Sequence, residues 1–322
     1  MRAIVQDTYG SPDVLELRDI PVPQPGPGEV LVRVRAAGVD PGVWFLLTGK
    51  PYLVRLMGFG VRRPKSPVRG MDVAGRVEAV GPGVTRFQPG DDVYGTCDGS
   101  YAEYACAAAD RFARKPANLD FAAAAAVPIS ACTALQALRD RGEVRDGTRV
   151  LIIGAAGGVG TFAVQVAKAF GAHVTGVCST AKTDLVAGLG ADEVIDYTRA
   201  DFAGNRRYDV ILDIAGNRPL SALRRALTDR GTLVLVGGAQ TGRWVGNMAR
   251  MARVMLVGMF LRQRVRNLFA TEPAADLETL REMIEAGTVR PVINRSYPLA
   301  EAAQAIGYVH GGHSAGKVVV TV

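Results

Sequence analysis

The run Gly154-Ala155-Ala156-Gly157-Gly158-Val159-Gly160 is the segment best suited to hold an anion. Residues without side chains let backbone N–H groups come close to a pyrophosphate. Before the run stands Val150-Leu151-Ile152-Ile153, a short apolar stretch suited to a buried parallel strand. After it, Val159, Phe162, Ala163, Val166, Ala167 and Phe170 recur at helical spacing, and Gly171 is placed to end the helix. A strand, a glycine turn and a helix in that order aim the positive end of the helix at the anion. Ala156, Gly157, Gly158 and Val159 are therefore expected to cradle a dinucleotide. A plain strand-to-helix turn is the competing interpretation.

The end of the next strand, His173 to Cys178, bears on which dinucleotide is bound. A ribose 2′-hydroxyl is usually held by an Asp or Glu ~20 residues beyond the glycine motif. Here the chain reads Ser179-Thr180-Ala181-Lys182, with no acid at the strand end and Asp184 already in the following helix. Two hydroxyls and an ammonium suit a 2′-phosphate, and a hydrogen bond to a charged group contributes ~1.5–3 kcal/mol. The pattern predicts NADPH, held through Ser179, Thr180 and Lys182. Alternatively, Lys182 is simply a solvated lysine at a helix start.

The elements that must position these residues follow from texture. At 322 residues, two domains are expected. The first part is β-rich, with Val14 to Leu17, Val30 to Val34 and Val73 to Val80 separated by Pro- and Gly-rich turns. That pattern predicts a compact, partly barrel-like β domain. Phe121 to Val127 and Thr133 to Leu138 read as helices. From Arg149 onward strands and helices alternate: Val210 to Asp213, Leu220 to Leu227, Leu233 to Val236 and Val254 to Phe260. This alternation implies a doubly wound parallel sheet, making the chain α/β. Helices are expected over Asp276 to Ala286 and Ala300 to Val309. The final strand, Lys317 to Val322, is expected to return to the first domain. The boundaries predicted are 1–120 with 288–322 for the β-rich domain and 121–287 for the dinucleotide domain.

Several function classes recede on composition. The net charge of +7 suits an anionic cofactor, but no dense Lys/Arg run interleaved with aromatics supports nucleic-acid binding. The longest strongly apolar run in the C-terminal third, Val254 to Leu261, is too short to span a bilayer, and the N-terminus shows no signal-peptide core. The four cysteines, Cys97, Cys106, Cys132 and Cys178, form no C-x-x-C pair and fit a reducing compartment as inert thiols. A cytoplasmic location is expected.

The ordered set of motifs resembles the medium-chain dehydrogenase/reductase superfamily, and within it the zinc-free quinone-oxidoreductase (zeta-crystallin-like) branch. It comprises Val30-Leu31-Val32-Arg33-Val34, Ala37-Gly38-Val39-Asp40-Pro41, Gly70-Met71-Asp72-Val73-Ala74-Gly75, Phe87-Gln88-Pro89-Gly90-Asp91-Asp92-Val93 and Gly99-Ser100-Tyr101-Ala102-Glu103-Tyr104, together with the glycine turn. The resemblance spans essentially the whole chain. It implies a GroES-like domain, a Rossmann domain, an active-site cleft between them, and a homodimer or homotetramer built through the Rossmann sheet near Val254 to Phe260. Zinc-dependent members place Cys where this chain has Asp40 and His-Glu where it has Met71-Asp72. Met71 cannot supply the imidazole that zinc favours, and the segment after the Pro-Gly-Asp turn is too short for a four-cysteine lobe. No metal is expected.

Without a strong Lewis acid, a conjugated carbonyl or a quinone is the easier substrate. Hydride adds to it and the developing oxyanion needs only hydrogen-bond donors. The resemblance implies Tyr52, Asp40 and Thr133 beside the reacting carbons. Tyr52 and Thr133 offer hydroxyls, whereas an ionised Asp40 cannot donate. Tyr52 could equally be a packing aromatic, Thr133 a helix cap, and Asp40 a turn residue before Pro41. Asp72 is expected to bond backbone locally, and Lys65 is a weaker donor candidate. Further cofactor contacts implied by resemblance are Thr133, Tyr197 near the 2′-phosphate, Gly216 and Asn217, Val236, Gly237 and Gly238, and more weakly Phe260 and Lys317. The basic, apolar segment Gly49 to Pro67 reads as a substrate lid or a packed surface helix. Two other functions compete: an NADPH-binding protein with little catalysis, structural or RNA-binding, and an enoyl-thioester reductase using Arg62 and Arg63.

Overall fold

A computed structural model describes the chain except residues 54, 205–206, 238–253, 255–261 and 313. The chain forms two compact units. The first comprises Met1–Cys132, Glu272–Gly287 and Pro291–Val322; the second comprises Thr133–Thr271 and Thr288–Arg290.

The first unit opens with strands β1 (Arg2–Val5), β2 (Glu16–Asp19), β3 (Glu29–Val39), β4 (Asp72–Val80), β5 (Asp92–Thr96), β6 (Tyr104–Ala108) and β7 (Phe112–Arg114). Helix α1 (Pro41–Thr48) follows β3, and α2 (Phe121–Ala125) and α3 (Pro128–Gln136) follow β7. Strand β3 is the hub. It pairs antiparallel with β4, with register shifts at Leu31/Val32 and Val34/Ala36, and with β6. Its alternation explains its place: Val30, Val32 and Val34 are buried with Val73, Val77, Val93 and Phe112, while Arg33 and Arg35 are exposed. Helix α2 starts where Asp120 accepts a 2.7 Å bond from the Ala123 N–H, an ordinary N-cap.

The second unit carries β8 (Arg149–Ile153), α4 (Gly158–Ala169), β9 (His173–Cys178), α5 (Thr183–Gly188), β10 (Glu193–Asp196), β11 (Tyr208–Asp213), α6 (Leu220–Ala226), β12 (Leu227–Leu235) and β13 (Arg264–Asn267). Its described strands form one parallel sheet in the order β10-β9-β8-β11-β12-β13. The order in which the parallel strands are laid down reverses between β8 and β11, and in such sheets ligands bind outside the carboxyl ends at that point. Leu151, Ile153, Ile211, Leu233 and Leu235 are buried, as a sheet covered on both faces requires.

The chain then returns to the first unit with α7 (Ala274–Glu285), β14 (Ile293–Pro298), α8 (Ala302–His310) and β15 (Lys317–Thr321). Strand β15 pairs antiparallel with β3, Val318 opposite Val39, and parallel with β14. The expected return of the tail is seen, and the GroES-like plus Rossmann architecture is present.

Two expectations shift. Residues 121–132 and 272–287 belong to the first unit, not to the dinucleotide unit. The reasons are specific: the Tyr94 hydroxyl donates to the Leu277 carbonyl at 2.6 Å, Asn118 donates to Ile284 at 2.8 Å, and the Ala117 N–H donates to Glu285 at 2.9 Å. The strand expected over Val254 to Phe260 lies outside the described residues apart from Val254. Val254 is helical and buried among the sheet side chains. The sixth strand of the sheet is β13. Among the described residues no helix is long and apolar enough to cross a membrane.

Candidate active site

The glycine turn stands between β8 and α4, as its spacing demands. Gly154 has φ +92°, a left-handed value that favours glycine. A Cβ on Gly160 would lie 2.1 Å from the Gly154 carbonyl oxygen, so only glycine lets the helix pack this close to the strand. At Gly157 the nearest atom to an added Cβ is 3.5 Å away, so the fold itself leaves that side open. Gly157, Gly158 and Val159 are part-exposed while Ala155, Ala156 and Gly160 are buried. The accessible backbone is thus the first turn of α4, where the helix dipole favours an anion.

The loops after β11 and β12 come to the same end of the sheet. Gly216 has φ +64° and donates its N–H to the buried Asp213 carboxylate at 2.9 Å. The Asp213 carbonyl accepts from Val236 at 3.2 Å and Gly237 at 3.4 Å. A Cβ on Gly237 would meet the Ile214 carbonyl at 2.4 Å. Asn217 is exposed beside them. Gly238 and Phe260 lie outside the described residues.

The second strand end differs from the sequence expectation. Strand β10 pairs with β9 so that Asp196 faces Cys178. The Thr180 hydroxyl donates to Asp196 at 2.6 Å, and Thr198 donates through its hydroxyl at 2.7 Å and its N–H at 2.9 Å. The bonds from Thr180 and Thr198 and the nearby Arg199 hold the Asp196 carboxyl below the usual range. A carboxylate therefore does stand at the strand end, delivered by the neighbouring strand. The Thr180 hydroxyl is bound to it, which corrects the expectation that Thr180 faces a phosphate. Lys182 is half-buried, and burial pulls its ammonium below the usual lysine range. Ser179 is half-buried, and Tyr197 is 49% exposed with the Arg218 guanidinium 5.5 Å above its ring. Tyr197, Arg199, Phe202, Arg218, Pro219 and Ala222 line a cavity of about 390 Å³. Sequence reasoning missed Arg199 and Arg218, because nothing in their spacing points at β9.

The first unit holds a buried charge cluster. The Lys317 ammonium, 2% exposed, donates to Asp40 at 2.5 Å, Asp72 at 2.9 Å and Ser130 at 3.1 Å. An ammonium has three N–H bonds, so all are committed. This corrects the expectation of Lys317 as a cofactor contact. Ser130 donates in turn to Asp40 at 3.2 Å, and the Ile129 N–H donates to Asp72 at 2.9 Å. Asp72 was expected to bond backbone locally; its backbone partner is distant in sequence, and its main charge partner is Lys317. Burial raises the Asp72 carboxyl well above the usual range, and the Asp40 charge beside it adds to this. For Asp40 burial acts the same way but is outweighed by Lys317, Asp72 and Ser130, so its carboxyl lies below the usual range. The two carboxyls are thus pushed apart, Asp40 towards the charged form and Asp72 towards the neutral one. Burial works against the Lys317 charge, but the two carboxyls outweigh it and hold its pKa above the ordinary lysine value.

The remaining candidates are placed separately. Asp40 precedes α1 without capping it; its carboxylate points into the cluster instead. Tyr52 is half-buried with the Arg55 guanidinium 4.9 Å above its ring, and Arg55 also covers Tyr9 at 4.2 Å. Thr133 is buried inside α3, so it is not a helix cap. Lys65 is exposed, and its N–H donates to the Phe59 carbonyl at 2.9 Å. Cys97 and Cys132 are buried, and burial pushes the Cys97 thiol up to about 12.

Known proteins bear on this geometry. The alcohol dehydrogenase GroES-like domain model matches residues 26–117, and a zinc-binding dehydrogenase model matches residues 189–320. Human quinone oxidoreductase is 34% identical over 99% of this chain and 97% of its own. The chloroplast envelope quinone oxidoreductase homolog of Arabidopsis thaliana is 32% identical over 99% of this chain and 98% of its own. The solved quinone oxidoreductase from Coxiella burnetii superposes with a TM-score of 0.88 at 31% identity, covering 100% of this chain and 99% of that one. The chain is a quinone oxidoreductase-like medium-chain dehydrogenase/reductase. A mycobacterial structure solved with NADPH superposes with a TM-score of 0.83 at 28% identity over 100% of both chains.

The residues of this quinone oxidoreductase-like chain fit a dinucleotide. Glycine at 154 and 160 lets α4 pack tight against β8, and the open first turn of α4 at Gly157 and Gly158 forms a cradle for phosphates. They do not fit zinc, although one matching family is described as zinc-binding. Asp40 and Asp72 are oxygen donors already bound to an ammonium, and Met71 offers only a thioether.

Proposed function

We propose that the protein is an NADPH-dependent, zinc-independent reductase of quinones or α,β-unsaturated carbonyls. The observation that carries this is the pairing of the β8–α4 glycine cradle with the Lys317 cluster, one suited to a dinucleotide and the other ill-suited to zinc. The NADPH complex of the mycobacterial neighbour and the quinone oxidoreductase relatives support the same reading.

When bound, the reduced nicotinamide supplies two electrons as a hydride. The chain's own residues bind and orient. Backbone N–H groups of Gly157, Gly158 and Val159 take the pyrophosphate. Gly216, Asn217, Val236 and Gly237 form the sheet-end loops against which the dinucleotide lies. Ser179, Lys182 and Tyr197 take the 2′-phosphate, with Arg199 and Arg218 adding positive charge. A hydroxyl, of Tyr52 or of Thr133, is the donor for the carbonyl oxygen, where negative charge grows as the β-carbon is reduced. Asp40 donates nothing; its role is to hold Lys317 and Ser130. Solvent supplies the final proton.

The test is NADPH oxidation against quinones, short enones and enoyl thioesters, before and after dialysis against a chelator. Turnover of quinones or enones that survives the chelator is expected. Tight NADPH binding with no turnover of any acceptor would sink the reductase reading, and chelator-sensitive turnover would restore the metal.

A further inference from the structure

We propose that Asp40, Asp72 and Ser130 form a hard-cation site whose permanent occupant is the chain's own Lys317 ammonium.

Sheet register produces the site. Val318 of β15 lies opposite Val39 of β3, which sets Lys317 level with Asp40 at the strand ends. Ala37 of β3 lies opposite Val73 of β4, which brings Asp72 to the far side of β3. Gly38 stands between the two. A Cβ there would lie 2.6 Å from the Asp72 carboxylate and 2.6 Å from the Ala125 carbonyl, so the absent side chain is the gap through which Asp72 reaches Lys317. Helix α3 adds Ser130.

Chemistry matches the ammonium to the site. Two carboxyls and one hydroxyl are oxygen donors, which suit a hard cation and not the thiolate- and imidazole-seeking zinc ion. Three acceptors meet three N–H donors, and the Ser130 hydroxyl donates its own hydrogen bond to Asp40. Asp72 is fully buried, and Lys317 and Asp40 nearly so. Removing one partner of such a pair leaves a buried charge uncompensated. Among the described residues no three His, Cys, Asp or Glu side chains gather as a metal group.

This inference rests on the zinc-independent reading above, but its readout is stability. A chain that never reduces a quinone leaves it intact, and a chain that does leaves it open to failure. The experiment is thermal unfolding of full-length Lys317→Ala and Lys317→Met. Lys317→Ala removes the three carbons and nitrogen of n-propylammonium. A fall in Tm on the order of 10 °C is expected for both variants. Millimolar n-propylammonium or Mn²⁺ is expected to restore at least half of it for Lys317→Ala, with tetramethylammonium giving none. Lys317→Met, which fills the space without charge, should not respond. If Lys317→Ala does not fold, the triple variant Asp40→Asn/Asp72→Asn/Lys317→Met decides: it should melt above Lys317→Met and ignore all added cations. Lys317→Met melting like the parent would overturn the proposal. So would equal rescue by propylammonium and tetramethylammonium, or a triple variant less stable than Lys317→Met.

Discussion

The anion cradle of the second unit and the Lys317 cluster of the first are built from opposite materials. The cradle is backbone: its specificity comes from side chains that are missing at Gly154, Gly157 and Gly160, and its charge from the dipoles of α4. The cluster is side chain: charges from β15, β3, β4 and α3 meet in a space left by one glycine, Gly38. The cradle can stay accessible to solvent because N–H groups tolerate water. The cluster is closed, with Asp40, Asp72 and Lys317 taken out of water, so its charges must offset one another even though one Asp40 oxygen is left without a hydrogen bond. A dinucleotide can come and go from the first arrangement. A cation can leave the second only at the expense of the fold, which is why it is tethered to the chain.

The largest expected effect breaks the cradle. In Gly160→Val the new Cβ would sit 2.1 Å from the Gly154 carbonyl, and opening the β8–α4 turn costs about 3 kcal/mol or more. A much lower Tm and no measurable NADPH binding by fluorescence titration are expected. Gly157→Ala sharpens the point, because its Cβ meets nothing closer than 3.5 Å. That variant should melt close to the parent while losing NADPH affinity. If both glycines behave alike, the division between a packing glycine and an anion-facing glycine is wrong.

The cluster is sharpened by two substitutions of the same kind. Asp40→Asn removes the anion that opposes Lys317 and is expected to cost about 3–5 kcal/mol. Asp72→Asn replaces a carboxyl that burial pushes towards its neutral form, which an amide mimics. Its loss should be small and dependent on pH. The folded chain keeps a proton on Asp72 above the ordinary value of 3.8, where the unfolded chain gives it up. The parent's stability from this source therefore falls as pH rises from about 4 towards the raised value. Asp72→Asn lacks that loss, so its Tm relative to the parent should improve as the pH rises above about 4. The reverse trend, or Asp40→Asn as the milder change, would place the proton on Asp40.

The same contrast explains what could be read without coordinates. The cradle is local: strand, turn and helix are consecutive, and the helical repeat from Val159 to Phe170 identifies α4 directly. The doubly wound parallel sheet and the tail's return to the first unit followed from alternation and from one apolar terminal run; the pairing with β3 did not. The cluster is non-local. Lys317 is 277 positions from Asp40, and no periodicity records that pairing. Family resemblance flagged Asp40 and Asp72 as places where zinc ligands are missing, without saying what replaces them. The domain boundary slipped for a related reason: α7 has an amphipathic pattern that fits either sheet, and only the Tyr94 hydroxyl and Asn118 decide where it docks. Asp196 was overlooked because acids were sought along β9, while sheet pairing supplied one from β10.

That overlooked acid gives the smallest and most discriminating prediction. A carboxylate beside a 2′-phosphate opposes it, whereas beside a free ribose it accepts a hydrogen bond. Asp196 is already bound by Thr180 and Thr198, and Arg199 lies 3.5 Å away, so its charge is partly offset. Lys182→Ala should raise the Kd for NADPH about ten- to a hundredfold, from ~1.5–3 kcal/mol for a charge-assisted bond, and leave that for NADH almost unchanged. Asp196→Asn should tighten NADPH only about two- to threefold, as expected for a partly screened surface charge. Measured side by side, the pair locates the 2′-position between the Lys182 and Asp196 side chains. If Asp196→Asn weakens NADH and Lys182→Ala spares NADPH, the acid is the ribose partner. The preference would then run to NADH, with the Asp196 carboxylate outweighing the Lys182 ammonium.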